Sequence, residues 1–303
     1  MLKNGILLID KPAGPSSAGV VGKVKRTLGA RKVGHLGTLD PFASGLLPLG
    51  INDGTKVAHI FLGAEKSYAG VLTLGVETDT QDCTGRVLQV RDVPSVDERT
   101  LENLHDAFTG VLSQVPPMFS ALKRNGVRLY RLARQGQSVP RTAREVKIER
   151  LRLWKNDAAE VEFELTCSKG TYVRALAADM GKFLGCGAHL KSLRRLSCGR
   201  LNLNQSVSLD ELQALKDQGK LPLIPLNRAL DHIRQILIDP ALLFRLRLGQ
   251  QDVLTRLGLP EEGEEMVRLS DGAGNLAALV CWDPGGRSGR WRLFRVFSPA
   301  GDG

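Results

Sequence analysis

Residues 34–50 read Gly34-His35-Leu36-Gly37-Thr38-Leu39-Asp40-Pro41-Phe42-Ala43-Ser44-Gly45-Leu46-Leu47-Pro48-Leu49-Gly50. Asp40 is the only acid between Lys11 and Asn52. An Asp-Pro pair by itself is an ordinary turn initiator. Here Gly34, Gly37, Gly45 and Gly50 permit close backbone approach. Leu36, Leu39, Leu46 and Leu47 supply apolar walls. A lone carboxylate between such walls and flanking cations suits chemistry that needs an ionised group shielded from water.

Outward from this stretch, the periodicity defines elements. Gly5-Ile6-Leu7-Leu8-Ile9-Asp10 is an apolar run of strand length, closed by Lys11-Pro12-Ala13-Gly14-Pro15. Ser16 and Ser17 can cap a helix through Val20, Val21, Val24 and Leu28 that Gly29 stops. Tyr68–Val76, Gly85–Val90 and Glu160–Cys167 read as strands. Residues 97–112 are helical in period, with Leu101, Leu104, Phe108 and Leu112 on one stripe. Residues 127–136 fit a short basic helix, and Val173–Leu184 a longer one. Ser208 and Glu211 have the spacing of a capping box. Beyond Pro240 the texture changes to short strands, Met266–Leu269, Ala277–Trp282 and Trp291–Phe297, separated by Gly-rich turns. This predicts a small all-β module, with a boundary near 230–238 and with Trp282 and Trp291 in its core.

The chain has 303 residues and a formal charge of +10. Hydrophobic residues make up 42% and charged residues 24%, which excludes a disordered chain. Two domains are expected at this length. The charge is segregated. Residues 1–35 hold seven bases and one acid, residues 118–155 eleven bases and two acids, and residues 189–200 four bases and no acid. These blocks carry +19, leaving −9 for the rest of the chain. That is the pattern of a face meeting a polyanion. A membrane surface fits less well, because the basic segments lack an apolar stripe rich in Trp or Phe.

Several chemistries find no support. No apolar run approaches the roughly 18–20 residues of a membrane span. Ile6-Leu7-Leu8-Ile9 is too short for the apolar core of a signal peptide. Five cysteines without a C-x-x-C pair speak against a disulfide framework or a zinc knuckle, and for a reducing cytosol. No P-loop, EF-hand loop or nucleophile elbow is present, and Gly34-His35-Leu36-Gly37 is a weak match to the clamp of a KH module. If the protein is an enzyme, it is read as one without metal or cofactor.

The ordered motifs resemble one family along essentially the whole chain. They are Asp10-Lys11-Pro12-x-Gly14-x-Ser16-Ser17, residues 34–50, Lys66-Ser67-Tyr68, and Asp79-Thr80-x-Asp82-x-x-Gly85. Pro116–Lys123, Cys167–Arg174 and Gly185–Leu190 complete the set. The sequence is identified as similar to the bacterial TruB-type tRNA pseudouridine synthases, which isomerise the uridine at position 55 in the T-loop. The resemblance implies an α+β pseudouridine-synthase fold: a large mixed, mostly antiparallel sheet flanked by helices, plus a small C-terminal PUA-like β module. It places the catalytic domain at 1–232, with a basic RNA-gripping arm near 118–155, and an RNA-binding module at 233–303. It implies a cytoplasmic, monomeric enzyme whose partner is the tRNA T stem-loop, with no membrane association, cofactor or metal.

The resemblance also implies roles. Asp40 takes the place of the essential aspartate, and Arg174 that of the arginine paired with it. Such a neighbour is expected to lower the aspartate pKa and keep its charge on. Tyr68 matches the tyrosine that stacks on the flipped base, and Tyr172 and Leu193 match positions lining the same pocket. His35 matches the histidine that enters the space left by the extruded nucleotide, and Lys11 with Pro12 supports the pocket. Arg128, Arg131 and Arg134 lie on the arm, where phosphate contacts would position the stem. Read alone, Arg174 is a solvated arginine at a helix start, Tyr68 and Leu193 are packing residues, and His35 is a loop histidine. A silent RNA-binding protein and an N-glycosidase would share many of these features. The intact set Asp40, Tyr68 and Arg174 disfavours the first, and a mass-neutral product would exclude the second.

Overall fold

A computed structural model describes residues 4–124, 126–285 and 289–298. Parts of the expected regions lie outside the described residues: Lys3 of the first basic block, Asn125 of the arm, and 286–288 and 299–303 of the C-terminal module. The chain begins β1 (Gly5–Lys11), α1 (Ser17–Leu28), β2 (Val33–His35), β3 (Ser44–Ile51), α2 (Ala58–Gly63), β4 (Lys66–Leu74), β5 (Val76–Thr78) and β6 (Val87–Val90). It continues α3 (Glu98–Phe108), β7 (Gly110–Gln114), β8 (Lys123–Arg124), β9 (Val127–Arg128), α4 (Leu129–Arg134), β10 (Arg144–Asp157), β11 (Glu160–Cys167), α5 (Val173–Phe183) and β12 (Ala188–Cys198). It ends β13 (Leu201–Asn202), β14 (Val207–Ser208), α6 (Glu211–Asp217), α7 (Leu226–Ala229), β15 (Gln235–Leu237), α8 (Pro240–Arg247), β16 (Met266–Ser270), β17 (Leu276–Asp283) and β18 (Arg290–Val296).

One sheet organises the larger part, in the order β14-β1-β3-β12-β4-β11-β10-β7, with β2 added to β3 and β13 to β12. Only β1–β14 and β3–β12 pair in parallel, so the sheet is mixed and mostly antiparallel. Helices flank it, as expected of the α+β class. The apolar run in β1 follows from its place in the middle of two cores. Leu7 and Ile9 point into the main core, and the alternate residues Ile6 and Leu8 into a second one. Helix α1 closes the main core with Val20, Val24 and Leu28; Ser16 caps it and Gly29 ends it at φ +63°.

The C-terminal sheet runs β15-β16-β17-β18. It shares the second core with the larger part through Leu276, Leu279 and Phe297. Trp291 is buried, and its ring meets Trp282 edge-on at 5.3 Å. The module is not all-β as the sequence predicts, because α8 packs Leu243 and Leu246 against its sheet. Asp239 caps this helix, with Pro240 in its first turn, a start signal masked by the surrounding turn residues. The helix predicted over 97–112 stops at Phe108: Thr109 is extended, Gly110 turns the chain at φ +93°, and Leu112 belongs to β7. The basic segment 118–155 is also divided. Its last third, from Arg144, is β10, which pairs with β7 on one edge and β11 on the other, so only 118–143 lie outside the sheet.

Candidate active site

The Asp40 loop is fixed by its neighbours rather than by secondary structure of its own. Strand β2 pairs with β3, and the chain between them, residues 36–43, is irregular. Ser17 Oγ donates to Leu39 O at 2.8 Å and accepts from Leu39 N at 2.9 Å. Lys11 Nζ donates to Pro12 O and Pro15 O, both at 2.9 Å, and to Pro41 O at 3.2 Å. Gly14 N donates to Pro41 O at 2.8 Å. Arg195 donates from Nε to Leu46 O at 2.7 Å, from Nη2 to Gly37 O at 3.1 Å and from Nη1 to Thr38 O at 3.3 Å. Gly45 is obligatory here: it sits at φ +94°, and a Cβ would lie 2.8 Å from the Arg195 backbone nitrogen.

Arg174, in the first turn of α5, reaches Asp40 across 134 residues of sequence. Its Nε donates to Asp40 Oδ2 at 2.8 Å, Nη1 to Thr80 O at 2.8 Å and Nη2 to Phe119 O at 2.8 Å. The guanidinium is therefore anchored to two loops, and an ordered donor is presented to the carboxylate. Asp82 stands 3.6 Å from Nη1 and is itself held by Thr80 Oγ1 at 2.8 Å and Thr84 N at 3.0 Å. Arg174 is 4% exposed, whereas 39% of the Asp40 side chain remains open to solvent. Asp40 Oδ1 accepts no hydrogen bond among the described residues, which leaves one oxygen for an incoming molecule.

Burial pushes the Asp40 carboxyl above its usual range; Arg174 and Lys11 pull it down, Asp82 pushes it further up, and the net direction is upward. This corrects the expectation that the arginine alone would set the direction. Crowding by the loop and a second carboxylate outweigh one ion pair. Burial likewise brings the Lys11 ammonium down to about 8, opposed by the Asp40 charge.

Tyr68 and Leu193 lie on the adjacent strands β4 and β12, where Tyr68 faces Arg195 and Leu193 faces Gly70 across the pair. Burial pushes the Tyr68 phenol up to about 12. Tyr172 immediately precedes α5. Its backbone N–H donates to Gln114 Oε1 at 2.8 Å, its carbonyl accepts from Gln114 Nε2 at 3.1 Å, and Arg144 stacks over its ring at 4.9 Å. His35 ends β2 with Nδ1 buried and unbonded among the described residues; burial, then the Arg195 charge, lowers its pKa. Among the described residues no group of three or more His, Cys, Asp and Glu could hold a metal ion. No described helix is long and apolar enough to cross a membrane.

The basic blocks behave differently in the folded chain. In 189–200, Lys191 pairs with Glu160, Arg194 with Asp10 and Arg200 with Asp231, while Arg195 is buried. Each of its three accessible bases is thus paired with an acid. Arg128, Arg131 and Arg134 are instead exposed and form no ion pair among the described residues. Arg131 and Arg128 beside Tyr130 lower its phenol pKa, and Arg134 lies 5.7 Å from the centre of its ring. Helix α4 begins only at Leu129, so Arg131 and Arg134 lie on it, while Arg124 and Arg128 belong to the β8–β9 hairpin.

Ser17, Asp82, Gln114 and Arg195 have no site role in the sequence reading. Ser17 and Asp82 fall inside the quoted motifs and could be found there. Gln114 carries no local signal, and Arg195 reads as surface charge.

Comparison with known proteins places this geometry in context. The model of the N-terminal domain of the TruB family pseudouridylate synthases matches residues 25–173, and that of the tRNA pseudouridylate synthase B C-terminal domain matches 174–236. The tRNA pseudouridine synthase B of Geobacter sulfurreducens is 43% identical over 308 residues, covering 97% of this chain and 100% of the relative. That of Burkholderia mallei is 45% identical over 280 residues, covering 91% and 92%. A solved structure, an archaeal box H/ACA sRNP Nop10–Cbf5 complex, contains a chain of the same fold. It has 24% identity and a TM-score of 0.70, and the match covers 97% of this chain and 86% of that one. Identity at this level over nearly the whole length, with two family models running end to end, makes this chain a member of the TruB family of pseudouridylate synthases.

Proposed function

We propose that this enzyme isomerises the uridine at position 55 in the T-loop of tRNA, and that Asp40 carries the reaction. Family membership makes it a tRNA pseudouridine synthase; the position and the residue roles are our reading. The C1′–N1 bond breaks, the uracil turns, and C1′ rejoins at C5. The C5 proton is lost and N1 gains one, so mass is unchanged. The observation that supports the assignment is the Asp40–Arg174 contact at 2.8 Å, with the other carboxylate oxygen unbonded among the described residues and part of the side chain open to solvent. Arg174 orients the carboxylate and stabilises its charge. Tyr68 supplies a face for the extruded base, with Tyr172, Leu193 and His35 around it and Lys11 beneath the loop. Extrusion costs a few kcal/mol, least in an unpaired loop, and stacking returns about 1–3 kcal/mol.

Arg128, Arg131 and Arg134 grip the T stem through phosphates, and the sheet from Gln235 to Val296 adds RNA contacts within a module spanning 233–303, beside a catalytic domain of 1–232. The enzyme acts as a monomer in the cytoplasm, where its substrate is found. The test uses T stem-loop RNA and an anticodon stem-loop of equal length. Carbodiimide adducts read by primer extension should give one stop, at position 55 of the T stem-loop only. Modification of both RNAs, or of another T-loop uridine, would overturn the site assignment.

A further inference from the structure

Arg195 is the largest fully buried side chain, at 1% exposure, and it has no carboxylate partner among the described residues. A buried cation without an acid is costly unless its donors are bonded. Here they are, and the partners are informative. Nη2 and Nη1 hold Gly37 O and Thr38 O, three and two residues before Asp40, while Nε holds Leu46 O in β3. Across the β4–β12 pair, Arg195 stands opposite Tyr68, and its positive charge opposes the upward push of burial on the phenol pKa. One side chain thus ties down the segment carrying Asp40 and stands directly across the strand pair from Tyr68.

The two buried lysines do something simpler. Lys66 collects Phe61 O, Leu62 O and Ala64 O from one helix end, and Lys11 collects the Pro12, Pro15 and Pro41 carbonyls at the base of the loop. An ammonium is a point donor suited to one cluster. A guanidinium is a rigid planar fork with five donors, which can fix two separate segments relative to each other.

We propose that Arg195 is a positioning residue for the reaction, holding the Asp40 loop and the Tyr68 phenol in register. The proposal rests on the reading that Asp40 and Tyr68 serve one site. A 1 Å misplacement costs about 10²-fold in rate. Loss of the fork should therefore slow the chemistry without loosening the grip on the RNA.

The experiment compares the wild type with full-length Arg195→Lys, Arg195→Gln, Tyr68→Phe and the double variant Arg195→Gln/Tyr68→Phe. Gln is included because it buries no unpaired charge. Single-turnover rates at saturating enzyme should fall roughly 10- to 10²-fold in either Arg195 variant, while the Kd for T stem-loop RNA stays within about threefold. In the Arg195→Gln background, Tyr68→Phe should cost little more, because the link is already broken. In the free proteins, hydrogen exchange over residues 36–43 should rise in Arg195→Gln while α3 is unaffected. A wild-type rate in a folded Arg195 variant, multiplicative losses in the double variant, or unchanged exchange over 36–43 would each overturn the proposal. So would loss of cooperative folding in both variants, which would assign Arg195 to stability alone. A wild type that makes no pseudouridine would instead overturn the proposed function, and the exchange measurement would still decide on Arg195.

Discussion

The Asp40 loop and the segment 118–143 both sit among cations, yet they use them in opposite ways. Around the loop, Lys11 and Arg195 are buried and bonded to backbone carbonyls, and Arg174 is bonded to Asp40 and two loops. In the arm, Arg128, Arg131 and Arg134 are exposed and unpaired among the described residues, gathered around Tyr130. A charge locked inside fixes geometry and is barely screened by salt; a charge held outside attracts phosphate and is strongly screened. The first arrangement suits chemistry and the second suits grip.

Asp40→Asn should divide the two functions most sharply. Turnover should vanish while T stem-loop affinity, measured by filter binding, stays within a few fold. A parallel loss of both would show that the loop also grips RNA.

The pH–rate profile gives the next largest effect. Because the Asp40 pKa is raised by burial and Asp82 against the pull of Arg174, the rate should fall on acidification at a pH above the ordinary aspartate range. Removing the like charge in Asp82→Asn should move that limb to lower pH. Removing the cation in Arg174→Ala should move it higher and lower the plateau rate. Limbs that coincide in all three proteins would break the electrostatic half of the comparison.

Ser17→Ala removes the hydroxyl that satisfies both the N–H and the carbonyl of Leu39. Leaving those buried groups unpaired should cost about 1–3 kcal/mol in urea unfolding. It should also slow turnover more than it weakens RNA binding.

Replacing Arg128, Arg131 and Arg134 together with Gln should leave stability within about 0.5 kcal/mol of wild type. The slope of log affinity against log salt should flatten by about one for each phosphate the arm no longer neutralises, three at most. An unchanged slope would show that the arm does not grip phosphate.

The Asp40 loop was legible as a candidate site because its signals are local: one acid in a long basic run, glycines where the backbone is crowded, and a serine cap before α1. The strands β1 and β11 and the helices α1 and α5 were legible for the same reason, since apolar periodicity reports burial directly. What escaped was decided by distant partners. Strand β10 alternates Val146 and Ile148 with charged neighbours, but its density of bases makes it read as arm. Arg195 is indistinguishable from Arg194 until the sheet buries one and leaves the other half-buried and paired with Asp10. The direction of the Asp40 pKa is set first by burial and then by the balance of Arg174 against Asp82, all of which arise only in the folded chain.

The division between chemistry and grip is tested most directly by single-turnover tritium release from tRNA carrying [5-³H]uridine at position 55, at saturating protein. The wild type should release the label as C5 joins C1′. Asp40→Asn should release none, and the arm triple variant, weak at low concentration, should recover nearly the full rate. Release by a folded Asp40→Asn protein, or an arm variant that stays slow at saturation, would contradict that division.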